Sequence, residues 1–137
     1  MWSDTLITQK LGGISATQFL LATPATALSL NSFRARHGRL ALAVSGTLSG
    51  IATSHARDLA RRQRLDHNGF RERMAFVRSA AAENVLVGCA DADCAFRKWA
   101  ASSGHRANML RRDVTHYGIA SATADNGRRY WVLELGN

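Results

Sequence analysis

The chain is poor in proline, cysteine and glutamate, and it has no long apolar run. Its one proline, Pro24, stands near the N-terminus, so no proline interrupts the backbone hydrogen bonding of the remainder. Its two cysteines, Cys89 and Cys94, lack the second pair that a four-ligand zinc site built from cysteines would need. No stretch reaches the roughly 18 apolar residues that cross a membrane as a helix. There are no internal repeats and no low-complexity tract. Glutamate occurs only at Glu72, Glu83 and Glu134, so carboxylate chemistry by this residue has few places to be.

Hydrophobic residues make up 46% of the 137 and charged residues 20%, the balance of one globular domain. The net charge is +8, nearly all of it arginine. A basic balance points to anionic partners such as nucleic acid, headgroups or cell-wall polymers. The arginines are scattered, however, and are not interleaved with exposed aromatics. That pattern suits solvated faces and gives no footprint for specific nucleic-acid binding. At the N-terminus, Lys10 precedes the moderately apolar "LGGISATQFLLA", and Ala25-Thr26-Ala27 has the small-x-small form of a signal-peptidase site. Residues 1–27 are therefore expected to be a signal-like or flexible segment, and 28–137 the domain. Cys89 and Cys94 leave three readings open: a small disulfide loop, two free thiols, or metal ligands together with Asp91 and Asp93.

Residues 28–37 read as a helix with Gly38 as its left-handed stop. From Ser45, a residue suited to an N-cap, Leu48, Ile51, Ala52, His55 and Leu59 recur on one helical face as far as Leu65. His55 on that face reads as a core histidine. "DHNGF" (66–70) has turn chemistry, and a short helix is expected over about 71–79. "AENVLVG" is β-prone at its end and too short for a helix. Residues 91–102 read as a helix with Ala92, Ala95 and Trp99 inward, broken by Gly104. At the end, "HYGIASATA" and "RRYWVLEL" flank "DNG", a strong hairpin signal. Helices followed by an antiparallel hairpin make an α+β domain.

Three polar residues stand in unusual places: His67 in a turn, Glu83 at the mouth of an apolar segment, and His105 directly after Gly104. Two imidazoles and a carboxylate suffice for a metal site or an acid/base pair. They do not form the motif in which both histidines share one helical turn. No serine or cysteine nucleophile has a clear partner. Ser102 and Ser103 are too close to His105 in sequence to make a triad with it.

In order, "LNSFRARHGRLAL", "HARDLARRQRLDHNGF", "AAENVLVG", "KWAASSGHRANML", "THYGIASAT" and "YWVLELG" resemble the CAP superfamily. That name covers cysteine-rich secretory proteins, antigen 5 and pathogenesis-related 1 proteins, and the look here is of its short bacterial branch. The resemblance spans about residues 28–136, and "AEN" with "W..SSGHR.N.L" are its most specific pieces. It implies an α-β-α sandwich with a small antiparallel sheet between helical layers. It also implies a cleft lined by His67, Glu83 and His105. Asn31, Asn84 and Asn108 would be structural. Animal and plant members carry a second glutamate near the place of Ser102, and their disulfides do not match Cys89 and Cys94.

The function implied by the resemblance is a secreted or periplasmic binding module that does not span the membrane. Its cleft would take a divalent metal such as zinc, with His67 and His105 as ligands and Glu83 as a third. Its partners would be a lipid or sterol, a cell-envelope component or a small ligand. The alternative is a metal-dependent hydrolase or peptidase in which Glu83 activates water. A carboxylate beside two imidazoles is expected to raise the histidine pKa values.

Overall fold

The computed structural model describes residues 27–137. All of the expected signal-like segment except Ala27 lies outside the described residues. Helix α1 (Leu30–Arg36) opens with a capping box in which Ser29 and Ser32 satisfy each other's backbone N–H. It ends at His37 and Gly38, the latter at φ +69°. Helix α2 (Gly46–Arg62) is capped by the Ser45 hydroxyl, which accepts from the Leu48 N–H. It stops at Gln63, whose φ of 53° is left-handed. The stripe expected from the sequence is the buried face, with Leu48, Ala52, His55 and Leu59 inward, joined by Ala56 and Ala60.

Four strands follow the order β1-β3-β4-β2. They are β1 (Ala43–Val44), β2 (Ala82–Val87), β3 (His116–Thr123) and β4 (Arg129–Gly136). The expected hairpin is β3–β4, with Gly127 at φ +84° in its turn. β2 pairs antiparallel on the far side of β4. The two-residue β1 adds a parallel edge beside β3 that its length hides from any periodicity argument.

Strand alternation divides the core. Trp131, Leu133 and Leu135 pack on one face with Phe33, Ala95, Phe96, Trp99 and Met109 from the helices over it. Tyr130 and Val132 pack on the other face with Ala52, Ala56 and Leu59 of α2. The result is the α-β-α sandwich, with α1, α4 (Ala92–Ala100) and α5 (Ser103–Met109) opposite α2. Trp99 is fully buried, and its indole N–H donates to the Val85 carbonyl at 3.1 Å. Gly118 of β3 lies against α2, where an added Cβ would be 2.2 Å from the Ser49 nitrogen. Only glycine allows the helix to sit this close.

One local expectation is corrected, and one open reading is settled. The helix expected over 71–79 is the single turn α3 (Phe70–Arg73). Past Met74 the chain is held by the C-terminal end instead: Val77 packs on Gly136, and the Asn137 side chain accepts from the N–H groups of Ser79 and Ala80. Cys89 and Cys94 are joined as a disulfide, which removes the thiol and metal-ligand readings of that loop. Asp91 caps α4, and Asp93 accepts from the Leu28 N–H and from Arg97.

Candidate functional site

Glu83 and Asn84 are neighbours in β2, so their side chains leave opposite faces of the sheet. Asn84 faces α5. Its amide donates to the His105 carbonyl at 3.0 Å and accepts from the Asn108 amide at 2.9 Å. This fixes the start and the last turn of α5 to the sheet edge. Asn31 does the same for the chain after α1, donating to and accepting from the Leu42 backbone. All three asparagines therefore have the structural roles the resemblance implies.

Glu83 faces α2 and is 6% exposed. Its oxygens take a 2.9 Å contact from His55 Nε2 and contacts of 2.6 and 2.8 Å from one terminal nitrogen of Arg73. His67 Nδ1 lies 3.5 Å away, at the edge of hydrogen-bonding range. His55 Nε2 also faces the Asp66 carbonyl at 3.1 Å, so both of its partners are acceptors and that nitrogen carries the proton. Arg73 reaches the turn as well, donating to the Asn68 carbonyl at 2.5 Å. Gly69, at φ +80°, leaves room for this guanidinium, since a Cβ there would come within 3.2 Å of it. One arginine thus holds both the carboxylate and the turn that carries His67.

Sequence reasoning assigned no role to Arg73, and it missed one further member of the cluster. Glu134 is the direct cross-strand partner of Glu83 and is fully buried. Arg73 Nε approaches it at 3.6 Å, and neither of its oxygens has a hydrogen-bond partner among the described residues. Burial, with the Glu83 charge second, pushes the Glu134 carboxyl up to about 9, so it carries a proton at neutral pH. Burial alone would raise Glu83 too. Hydrogen bonds from His55 and Arg73, and then their charges, outweigh burial and hold it below the usual carboxylate value. The pair therefore carries one negative charge, matched by Arg73. The signal in the sequence was a lone glutamate in the apolar strand "WVLELG", at the same parity as Val132.

The cleft outside this cluster has a volume of about 270 Å³ and is lined by His67, Phe70, Ala81, Ala82, Glu83, Asn108 and Arg111. His67 is exposed and His105 is half-buried. His105 is not in the cleft wall, but its ring is close enough to His67 for their charges to interact. Burial first and His67 second lower the His105 pKa, contrary to the rise expected from a neighbouring carboxylate. The physical reason is that the contacts of Glu83 are with His55, Arg73 and His67, and none is with His105. A lowered pKa favours the neutral ring, the form that accepts a hydrogen bond or ligates a metal.

The structure thus brings His67 and Glu83 together and leaves His105 outside the cleft wall, within electrostatic range of His67. Among the described residues, no group of three or more His, Cys, Asp or Glu side chains is placed to hold a metal ion. With Glu83 held by Arg73 and His55, the donors left for an ion are the two imidazoles.

The chain matches the family described as CAP, the cysteine-rich secretory protein family, over residues 29–135. Among solved structures it is similar to an outer surface protein of Borrelia burgdorferi, with a TM-score of 0.70 and 16% identity over 79% of this chain and 86% of that one. It is similar to an extracellular protein of Bacillus anthracis that contains an SCP domain, with a TM-score of 0.68 and 22% identity, covering 79% of this chain and 37% of that one. A cysteine-rich secretory protein of Staphylococcus aureus gives a TM-score of 0.62 and 22% identity, covering 78% of this chain and 35% of that one. Against the latter two, the chain spans little more than a third of the relative's length. Comparison with curated proteins returned no match.

Proposed function

The chain belongs to the CAP family of cysteine-rich secretory proteins, and from that premise we propose that it is an extracellular or periplasmic binding module rather than an enzyme. The observation that carries this reading is the state of Glu83. A general base must reach a water or substrate proton with a free lone pair and a pKa suited to the transfer. Glu83 is 6% exposed, bonded by Arg73 and His55, and held below the usual carboxylate value. It serves as the fixed negative charge of the cluster and as a partner for His67. Hydrolysis would need that carboxylate released.

What remains open to a ligand is the pair of imidazoles and a cleft of about 270 Å³, at the small end of ligand pockets. It suits a small ligand, or one end of a lipid, sterol or cell-envelope component. His67 and His105 would hold a divalent metal such as zinc, with solvent completing its coordination. When bound, the ion would supply a Lewis-acid contact for a ligand's oxygen. The chain's part is to orient the imidazoles, through Asn84 of β2 holding α5 and Arg73 of α3 holding the turn. An oxidising compartment is supported by the Cys89–Cys94 disulfide. Two of the similar bacterial proteins, one of the outer surface and one extracellular, agree with it.

Zinc titration by calorimetry tests this reading. The native protein should bind zinc, and the His67→Ala/His105→Ala double variant should lose that binding. No ester or peptide substrate should turn over with the zinc-loaded protein. Zinc affinity that survives the double variant places the ion elsewhere. Turnover abolished by Glu83→Gln would establish the hydrolase instead.

A further inference from the structure

A second cavity, sharing no lining residue with the cleft, lies where the chain leaves α1 and where it enters β3. It encloses about 210 Å³ and is lined by Arg34, Arg39, Leu40, Ala41, Leu42, Arg112, Val114 and Thr115. Three of these residues are arginines and none is acidic. Arg34 is 2% exposed, and among the described residues its guanidinium donates only to the backbone carbonyls of Leu40, Met109 and Arg111, at 2.8, 2.9 and 2.9 Å. Arg39 likewise spends its bonds on the carbonyls of Leu110 and His37.

Carbonyls satisfy N–H groups but do not cancel a charge. Among the described residues, no carboxylate pairs with Arg34, Arg39 or Arg112, and Asp113, next to Arg112, is taken by Arg111 at 2.8 Å. A buried guanidinium normally has a counter-ion, because removing a charge from water is costly unless it is paired. Here two more positive charges surround it instead. The strain shows in Arg34, whose pKa is lowered by burial and then by Arg39 and Arg112. The remaining wall is apolar. Leu42 and Val114 are buried along it, and Leu40 stands at the lip with 85% of its surface exposed.

We propose that this pocket binds a small organic oxyanion, a carboxylate or phosphate monoester on a short apolar stem. Guanidinium forks match the oxygen geometry of both groups. The oxyanion supplies the charge that Arg34, Arg39 and Arg112 lack, and the stem lies against Leu40, Leu42 and Val114. Arg112 is exposed and has no partner among the described residues, so it is free to close over the ligand. The volume holds a short stem, and a longer chain would continue outward past Leu40.

The test is calorimetry on the full chain with hexanoate, hexyl phosphate and inorganic phosphate. Hexanoate or hexyl phosphate should bind, with inorganic phosphate at least about tenfold weaker. Arg112→Gln should weaken the organic ligand about tenfold without lowering the melting temperature, and Arg112→Glu should weaken it further. Arg57→Gln, a charge removed from α2, should leave affinity unchanged. Vesicles of phosphatidic acid in phosphatidylcholine separate the two sources of the oxyanion. Vesicle binding that hexyl phosphate displaces and Arg112→Gln weakens supports a lipid headgroup. Absence of vesicle binding, with the soluble ligand still bound, supports a free metabolite. Failure of both organic oxyanions to bind overturns the proposal. So does equal weakening by Arg57→Gln, or inorganic phosphate as tight as hexyl phosphate, since either result reports a diffuse basic surface.

Discussion

At the scale of single residues, the four-member cluster of His55, Arg73, Glu83 and Glu134 determines what the cleft can do. Glu134 leads to a prediction with a definite sign. Its carboxyl moves from an ordinary value of 4.5 to about 9 in the fold. Between those values the folded state holds a proton that the unfolded state has lost. Stability therefore falls as pH rises, by up to about 1.4 kcal/mol per pH unit, and levels off above the folded value. Glu83 acts in the opposite sense. Its lowered pKa stabilises the fold above the ordinary carboxylate value, and that contribution is lost as pH falls. Glu134→Gln keeps the shape without the ionisation, so its melting temperature relative to the native protein should climb from pH 5 to pH 9. A difference that stays flat across that range would mean that Glu134 is not protonated in the fold. Arg73→Met should be far more damaging. It strands the Glu83 charge in a buried site, at a cost of about 3–5 kcal/mol by chemical denaturation. Little of this was legible in the sequence. His55 read as a core histidine, which it is, but its contact with Glu83 follows from α2 lying across β3 and β4, from where His55 reaches the carboxylate on β2, and no local pattern encodes that.

At the scale of elements, two close contacts place the site. The first is α2 against β3 at Gly118, where an alanine Cβ would fall 2.2–2.6 Å from Leu48 and Ser49 backbone atoms. Gly118→Ala must push the helix outward, and such overpacking costs about 1–3 kcal/mol or more. Because α2 carries His55, the same variant should weaken zinc binding at the cleft if the cluster positions His67. Circular dichroism melts and zinc titration of one preparation would measure both. The second contact is the burial of α4 on the sheet through Trp99. Trp99→Ala removes a fully buried ring and its bond to Val85, for a cost of about 3–5 kcal/mol. An unchanged melt would contradict that packing. These elements were read well from the sequence where a cap or a long period marked them: α1, α2, α4 and the hairpin. They were read poorly where tertiary contacts set them. α3 stops after one turn because Val77, Ser79 and Ala80 are held by the C-terminal strand and Asn137.

At the scale of the whole molecule, a single disulfide and a strongly basic surface frame the domain. The cysteines are five positions apart, so the loop they close restrains few unfolded conformations. Reduction, or Cys89→Ser with Cys94→Ser, should lower stability by less than the roughly 3 kcal/mol of a 15-residue loop, leaving a folded protein with a slightly lower melting temperature. Unfolding on reduction would show that the loop holds more of the fold than its length implies. The sequence by itself determined the fold class, the family, the core stripes of α2 and α4, and the hairpin, because caps, periods and turn residues act over a few neighbours. It also picked out His67, Glu83 and His105, through motifs in the right order. Only the tertiary structure decided how those residues are used. The pairing of β2 with β4 sets Glu83 against Glu134, α2 brings His55 over the pair, and Arg73 reaches in from α3. Burial and the bonds from His55 and Arg73 then divide the two carboxyls into one charged and one neutral, and Arg34 is buried with no counter-ion among the described residues. Charge state depends on desolvation and on neighbours distant in the chain, and neither exists until the layers have packed.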